Sequence, residues 1–236
     1  QGRVGVYYLD VGIPPRPTTV LYDRTGSAVA AVDPASFPID WVTESRWLHA
    51  TGITPALSHG CRTVLERLVE RAHQAGVGIS FDVNYRARLW DPDEAARTLE
   101  WFCRQATVLV CGEGDARLLW GLTGDAEAVA GALAARFGVP VTVVTRGEHG
   151  AVAVTADGRT VLVPGRAATV VDRVGAGDAF AAGFLHGYLD TGDVERGLQY
   201  GVALAALKLT VRGDLAIVTA EELESAVAAA GRTIVR

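Results

Sequence analysis

Between Thr169 and Phe184 the chain places reactive residue types at close spacing: two carboxylates, Asp172 and Asp178, bracket Gly175-Ala176-Gly177. The β-branched run Thr169 to Val171 reads as a strand end. After the glycines, small and apolar residues from Ala179 to Gly187 predict a helix packed closely on its neighbours. A strand, a glycine turn and a helix make an anion-binding arrangement. The first helical N–H groups lack intrahelical partners, and the helix dipole adds partial positive charge there. The amides of Ala176, Gly177 and Asp178 are therefore expected to form a cradle, opened by the turn at Gly175. A transferring phosphoryl group, which gathers negative charge as it reacts, gains most from such a cradle. Asp178 stands where it can take a proton from an attacking hydroxyl. A dinucleotide-binding loop fits less well, because Phe180 rather than glycine follows three residues after Gly177 and Asp178 repels a pyrophosphate. A P-loop is excluded because no lysine follows the glycines. Taken as a bare G-x-G-D, the stretch is an ordinary βα turn with a capping Asp.

The elements that must position these groups follow from periodicity. Val4 to Val11 and Thr18 to Tyr22 predict two strands joined by a Pro-rich loop, and Ser27 to Val32 suggests a third. From Arg46 the pattern changes to strands alternating with helices. Strands are expected at Trp47–Thr51, Val77–Val83, Thr107–Cys111 and Val141–Thr145. Helices are expected at Ser58–Gln74, Pro92–Arg104, Asp115–Trp120 and Asp125–Phe137. A hairpin across Asp157-Gly158 and two late helices, near Val194–Lys208 and Ala220–Ala229, complete the pattern. This alternation predicts an α/β fold, a doubly wound parallel sheet flanked by helices, with a small β lid. The expected division is a partial β lid over residues 1–33 and an α/β core over 34–236.

Composition narrows the classes. With 236 residues and 49% hydrophobic content, the chain can bury a sizeable core. A net charge of −5 argues against a nucleic-acid or membrane surface. Cys61, Cys103 and Cys111 lack metal-type spacing and read as free, buried thiols of a reducing compartment. The absence of a signal-like or membrane-spanning run leads to the expectation of a cytoplasmic protein.

The longer string Asp172-x-x-Gly175-Ala176-Gly177-Asp178-Ala179-Phe180-x-x-Gly183 closely resembles the signature of the ribokinase-like (PfkB) carbohydrate kinases. That resemblance implies ATP and Mg²⁺ as cofactors, a small-molecule sugar substrate, Asp178 as catalytic base and Gly175-Ala176-Gly177 as the anion hole. The family usually has Thr where this chain has Arg173. FDVNYRARLWDP resembles a segment of 2-keto-3-deoxygluconate kinases, which implies that Asn84 and Arg86 meet substrate and phosphate. In the same subfamily a lid Tyr and a Tyr-x-Arg grip the sugar acid, and Tyr7, Tyr22 and Arg24 match them. An Arg fork suits a carboxylate. The loop Thr145-Arg146-Gly147-Glu148-His149-Gly150 resembles the nucleotide-loop pattern, so Thr145, Gly147 and Gly150 are expected at ATP. Asp172, Lys208 and Gly213 belong to segments that resemble its surroundings. Where the family has Asn-x-x-Glu, this chain has Gly112-x-x-Asp115, leaving Asp115 as the expected Mg²⁺ contact. Each residue also has a plainer reading: exposed strand tyrosines, a turn arginine, a helix-start acid.

The resemblance runs from Val4 to about Ala229 and omits the family's N-terminal third, which supplies its first strands and a Gly-Gly sugar segment. The expected activity is transfer of the ATP γ-phosphoryl group to the 6-hydroxyl of 2-keto-3-deoxygluconate. Alternatives are a kinase of a neutral sugar such as fructose or ribose, and a catalytically silent ligand-binding remnant. Without the omitted third, the isolated chain is expected to leave a sheet edge open, to hold ATP better than sugar acid and to turn over little. Association of copies through the lid is a further expectation.

Overall fold

The computed structural model describes residues 2–12 and 15–229. Two short strands, β1 (Val6–Asp10) and β2 (Thr19–Asp23), pair antiparallel as a separate sheet with Tyr7 opposite Tyr22. Next come β3 (Trp47–Thr51), α1 (Ile53–Leu57), α2 (His59–Ala75) and β4 (Gly78–Asp82). These are followed by α3 (Pro92–Gln105), β5 (Val108–Gly112), α4 (Glu113–Trp120) and α5 (Ala126–Phe137). The last elements are β6 (Val141–Thr145), β7 (Ala151–Thr155), β8 (Thr160–Val163), α6 (Ala176–Tyr188), α7 (Val194–Leu209) and α8 (Ala220–Ala228).

β3 to β8 form one six-stranded sheet in sequence order, parallel through β6 and antiparallel at β7 and β8. Strand alternation distributes side chains to two cores. Leu109 and Cys111 of β5 join the core under α2, α3, α4 and α5, whereas Val108 and Val110 join the core under α6 and α7. Helices therefore cover both faces, as the alternating sequence pattern predicts. α6 and α7 approach closely because glycines face across the contact. A Cβ on Gly183 would lie 2.5 Å from the Tyr200 carbonyl oxygen, and one on Gly201 would lie 2.9 Å from the Phe180 ring.

Two predicted strands are absent. Ser27 to Val32 is a run of turns: the Ala31 N–H bonds the Ser27 carbonyl at 3.0 Å, and the segment meets Arg3 only through an isolated bridge. Thr169 to Val171 joins no sheet, because the Val171 N–H goes instead to the Leu209 carbonyl at the end of α7, at 2.7 Å. The sequence reading also omits α1 and a 3₁₀ turn at Ile39–Glu44. Among the described residues one edge of β3 carries no partner strand, and Trp47 and Leu48 are half-buried there, while β4 lies inside the sheet.

Candidate active site

The glycine turn is held by contacts from far along the chain. Gly175 caps α6 with φ of +83°, and a Cβ there would stand 2.1 Å from the Asp214 carbonyl oxygen. Both facts demand glycine. Ser58, Asp91, Asp125, Asp193 and Thr219 cap α2, α3, α5, α7 and α8 with side-chain hydrogen bonds, but α6 has no such cap. The Ala176 N–H turns back to the Arg173 carbonyl at 3.3 Å, so the cradle rests on Gly177 and Asp178 rather than on all three amides. No atom lies within 4 Å of where a Gly177 Cβ would stand, which leaves open space at the helix start. Uncapped amides facing open space suit an anion.

Asp172, Lys208 and Gly213 brace this turn. The Asp172 carboxylate accepts the Val174 and Gly213 N–H groups, each at 3.0 Å, and these bonds hold it below the usual carboxylate range. Lys208 is fully buried and donates to the carbonyls of Asp172 at 3.3 Å and Val211 at 3.1 Å. It braces the turn through these two carbonyls and, unlike Thr145 and Gly147, lines no part of the cleft beside Gly177.

Thr145, at the end of β6, lines a cleft of about 650 Å³ together with Gly147, Gly150, Arg173, Ala176 and Gly177. The expected nucleotide loop and the cradle thus share one cavity, of the size that small-molecule sites have. The loop is closed by the Arg146 N–H bonding the Gly150 carbonyl at 2.8 Å.

Asp178 is exposed at the start of α6, and its Oδ1 accepts the Asn84 Nδ2 at 3.2 Å. Asn84 follows β4 with φ of +39°, the only positive φ outside glycine among the described residues. Beside it, Asp82 is buried, and its carboxyl is pushed up to about 7 by burial and then by the Asp178 and Asp115 carboxylates. Asp115 accepts the Tyr85 N–H at 3.2 Å, and burial raises its pKa. Arg86 offsets part of this negative charge. No group of three or more His, Cys, Asp or Glu among the described residues could hold a metal ion. The half-buried Asp115 at the start of α4 offers a single carboxylate; Mg²⁺ is commonly held by one or two carboxylates together with substrate phosphates.

On the lid, the Tyr7 and Tyr22 rings lie 6.2 Å apart, and the Arg24 guanidinium sits 4.0 Å over the Tyr22 ring. Tyr7 reaches Asp214, whose hydrogen bond raises the phenol pKa, so the lid meets the loop that packs on Gly175. Arg88 donates to the Val20 carbonyl and ties β2 to the segment after Asn84 and Arg86. Asp82 and Asp214 lie in segments that the sequence marks, the stretch after β4 and the stretch after Lys208, but neither was expected among the site residues. Asp82 is a carboxylate at the carboxyl end of a parallel strand, where such sheets place ligands; Asp214 packs its carbonyl on Gly175 and turns its carboxylate to Tyr7, a pairing of distant segments that no local signal gives.

A doubly wound sheet, an open glycine cradle with a carboxylate beside it, and a nucleotide-sized cleft on the same helix end define a ribokinase-like phosphotransferase. Residues 1–221 match the model of the pfkB family carbohydrate kinases. Over 225 residues the chain is 43% identical to a 2-dehydro-3-deoxygalactonokinase of Haloferax volcanii, covering 95% of this chain and 70% of that protein. It is 34% identical over 209 residues to a 2-dehydro-3-deoxygluconokinase of Bacillus subtilis, covering 87% and 64%. The crystal structure of a 2-dehydro-3-deoxygluconokinase of Thermotoga maritima superposes with a TM-score of 0.88 at 29% identity, covering 96% and 73%. The chain belongs to the pfkB carbohydrate kinase family, and that membership places it among ATP-dependent sugar kinases. It spans about two thirds of the length of these curated relatives. No helix among the described residues is long and apolar enough to cross a membrane.

Proposed function

We propose that the protein transfers the γ-phosphoryl group of ATP to the 6-hydroxyl of 2-keto-3-deoxygluconate. The observation that carries this reading is the shared end of α6. Asp178 is exposed there, and Ala176 and Gly177 line the same cleft as Thr145, Gly147 and Gly150. Asp178 takes the proton of the hydroxyl as its oxygen bonds the γ-phosphorus and the bond to the ADP oxygen breaks. The Gly177 and Asp178 amides meet the charge gathering on the phosphoryl oxygens. Mg²⁺, when bound, neutralises phosphate charge, with Asp115 as its protein contact. Arg24 and Arg86 supply guanidinium forks for the sugar-acid carboxylate, and Tyr7, Tyr22 and Asn84 offer polar groups to the sugar. The relatives' names support a 2-keto-3-deoxy sugar acid. The 43% identity to a galactonokinase favours a second reading, the epimer 2-keto-3-deoxygalactonate. ADP release assayed with both epimers and with fructose tests the proposal. A sugar acid turned over in preference to fructose is expected, and equal or better use of fructose refutes it.

A further inference from the structure

A polyphosphate carries several negative charges, and a site for one needs a cation as well as amides. Near this site the candidates are few. Lys208 is the only lysine in the chain, and its ammonium is buried on the carbonyls of Asp172 and Val211. Arg86 lies on the Asp82 and Asp115 side and does not line the nucleotide cleft. Two arginines line it, Arg166 and Arg173. The Arg166 guanidinium is committed to the Ala226 and Val227 carbonyls at the end of α8. Arg173 is exposed, and among the described residues no carboxylate stands within ion-pair distance of it. Its backbone is fixed: the Arg173 carbonyl accepts the Ala176 N–H, and its N–H meets the Asp172 carboxylate. The side chain therefore leaves a braced turn, beside the Gly177 opening, with its charge unspent.

We infer that Arg173 is the cation that binds the nucleotide's terminal phosphates, a task for which the site has no free lysine. This rests on the nucleotide reading of the cleft made above. The guanidinium presents paired N–H donors, the geometry that phosphate oxygens accept bidentately. Arg173 thereby favours the polyphosphate over the nucleoside, while the walls formed by Phe180, Val202 and Leu209 contribute equally to both.

Calorimetric titration of the chain with ADP and with adenosine, in Mg²⁺ buffer, reads the two contributions separately. The unmutated chain is expected to bind ADP at least about tenfold more tightly than adenosine, as one charge-assisted contact supplies. Arg173→Gln should reduce that ratio to within about threefold and leave adenosine affinity unchanged, and Arg173→Lys should fall between. Thermal unfolding of each variant checks that the exposed substitution leaves the fold intact. An unchanged ADP-to-adenosine ratio in a folded Arg173→Gln protein overturns the role of Arg173 and leaves the nucleotide reading standing. Failure of the unmutated chain to bind either ligand overturns both.

Discussion

Gly175 and Gly177 stand two residues apart in one motif, yet the structure assigns them opposite sensitivities to the same substitution. In Gly175→Ala the new methyl group meets two penalties. A left-handed φ of +83° costs a non-glycine residue about 1–2 kcal/mol. The methyl carbon would also stand 2.1 Å from the Asp214 carbonyl oxygen, so the 213–214 loop must move. That loop is held by the bond from the Gly213 N–H to Asp172, so movement adds to the cost. For a chain of this length, about 1–2 kcal/mol lowers Tm by roughly 2–8 °C, and the clash extends the loss. In Gly177→Ala the methyl meets nothing within 4 Å, and alanine suits a helix better than glycine by about 0.5–1 kcal/mol. Its Tm should hold or rise. The same methyl fills the opening over the amides and should weaken ATP by about tenfold or more, the scale of one charge-assisted hydrogen bond. Differential scanning calorimetry and ATP titration on both variants make the test. A Gly177→Ala protein with unchanged ATP affinity, or a Gly175→Ala protein with unchanged Tm, refutes the reasoning.

Asp178→Asn should keep ATP binding and reduce turnover by about 10²–10⁴, and a loss below about tenfold removes Asp178 as the base. Arg24→Leu should impair sugar-acid turnover and leave residual ATP hydrolysis unchanged; an equal loss of both shows that Arg24 does not read the carboxylate. The Asp82 carboxyl, raised from 3.8 to about 7, stays protonated in the folded chain where the unfolded chain has already ionised. Its stability contribution is therefore full below about 3.8 and lost as pH rises to about 7. Asp82→Asn should flatten that part of the Tm–pH curve, and an unaltered slope contradicts the buried, raised carboxyl. On the lid, Tyr8 and Leu21 are 61% and 64% exposed, and Tyr8→Glu with Leu21→Glu should shift any oligomer toward monomer in sedimentation velocity. No shift removes the lid as the interface.

Local signals account for most of what could be read from the chain. Asp91-Pro92, Asp125, Asp193 and the Thr219 capping box set helix starts within a residue or two of expectation, because capping is a short-range interaction. Strand alternation likewise located β3 to β8. Ser27–Val32 and Thr169–Val171 failed for a different reason. Both are composed like strands, but turn bonds at Ser27 and a single tertiary bond to Leu209 claim their backbones. At the site, type and spacing marked Gly177 and Asp178, and the family resemblance marked Thr145 and Gly150; Gly177, Thr145 and Gly150 line one cleft, with Asp178 exposed beside it. The reason Gly175 must be glycine was not, because it is the approach of Asp214 from a distant loop. The burial of Lys208 beneath the turn was equally invisible, since its amphipathic neighbourhood in α7 reads the same either way.

The central claim is phosphoryl transfer from ATP to a sugar acid with Asp178 as base. Single-turnover transfer from γ-labelled ATP, with protein in excess, tests it most directly, because slow chemistry still registers. The account predicts label on the 6-oxygen of 2-keto-3-deoxygluconate or its galacto epimer, appearing at least about a hundredfold faster than in Asp178→Asn. Equal rates in the two proteins, or label passing to fructose in preference to either acid, would contradict it.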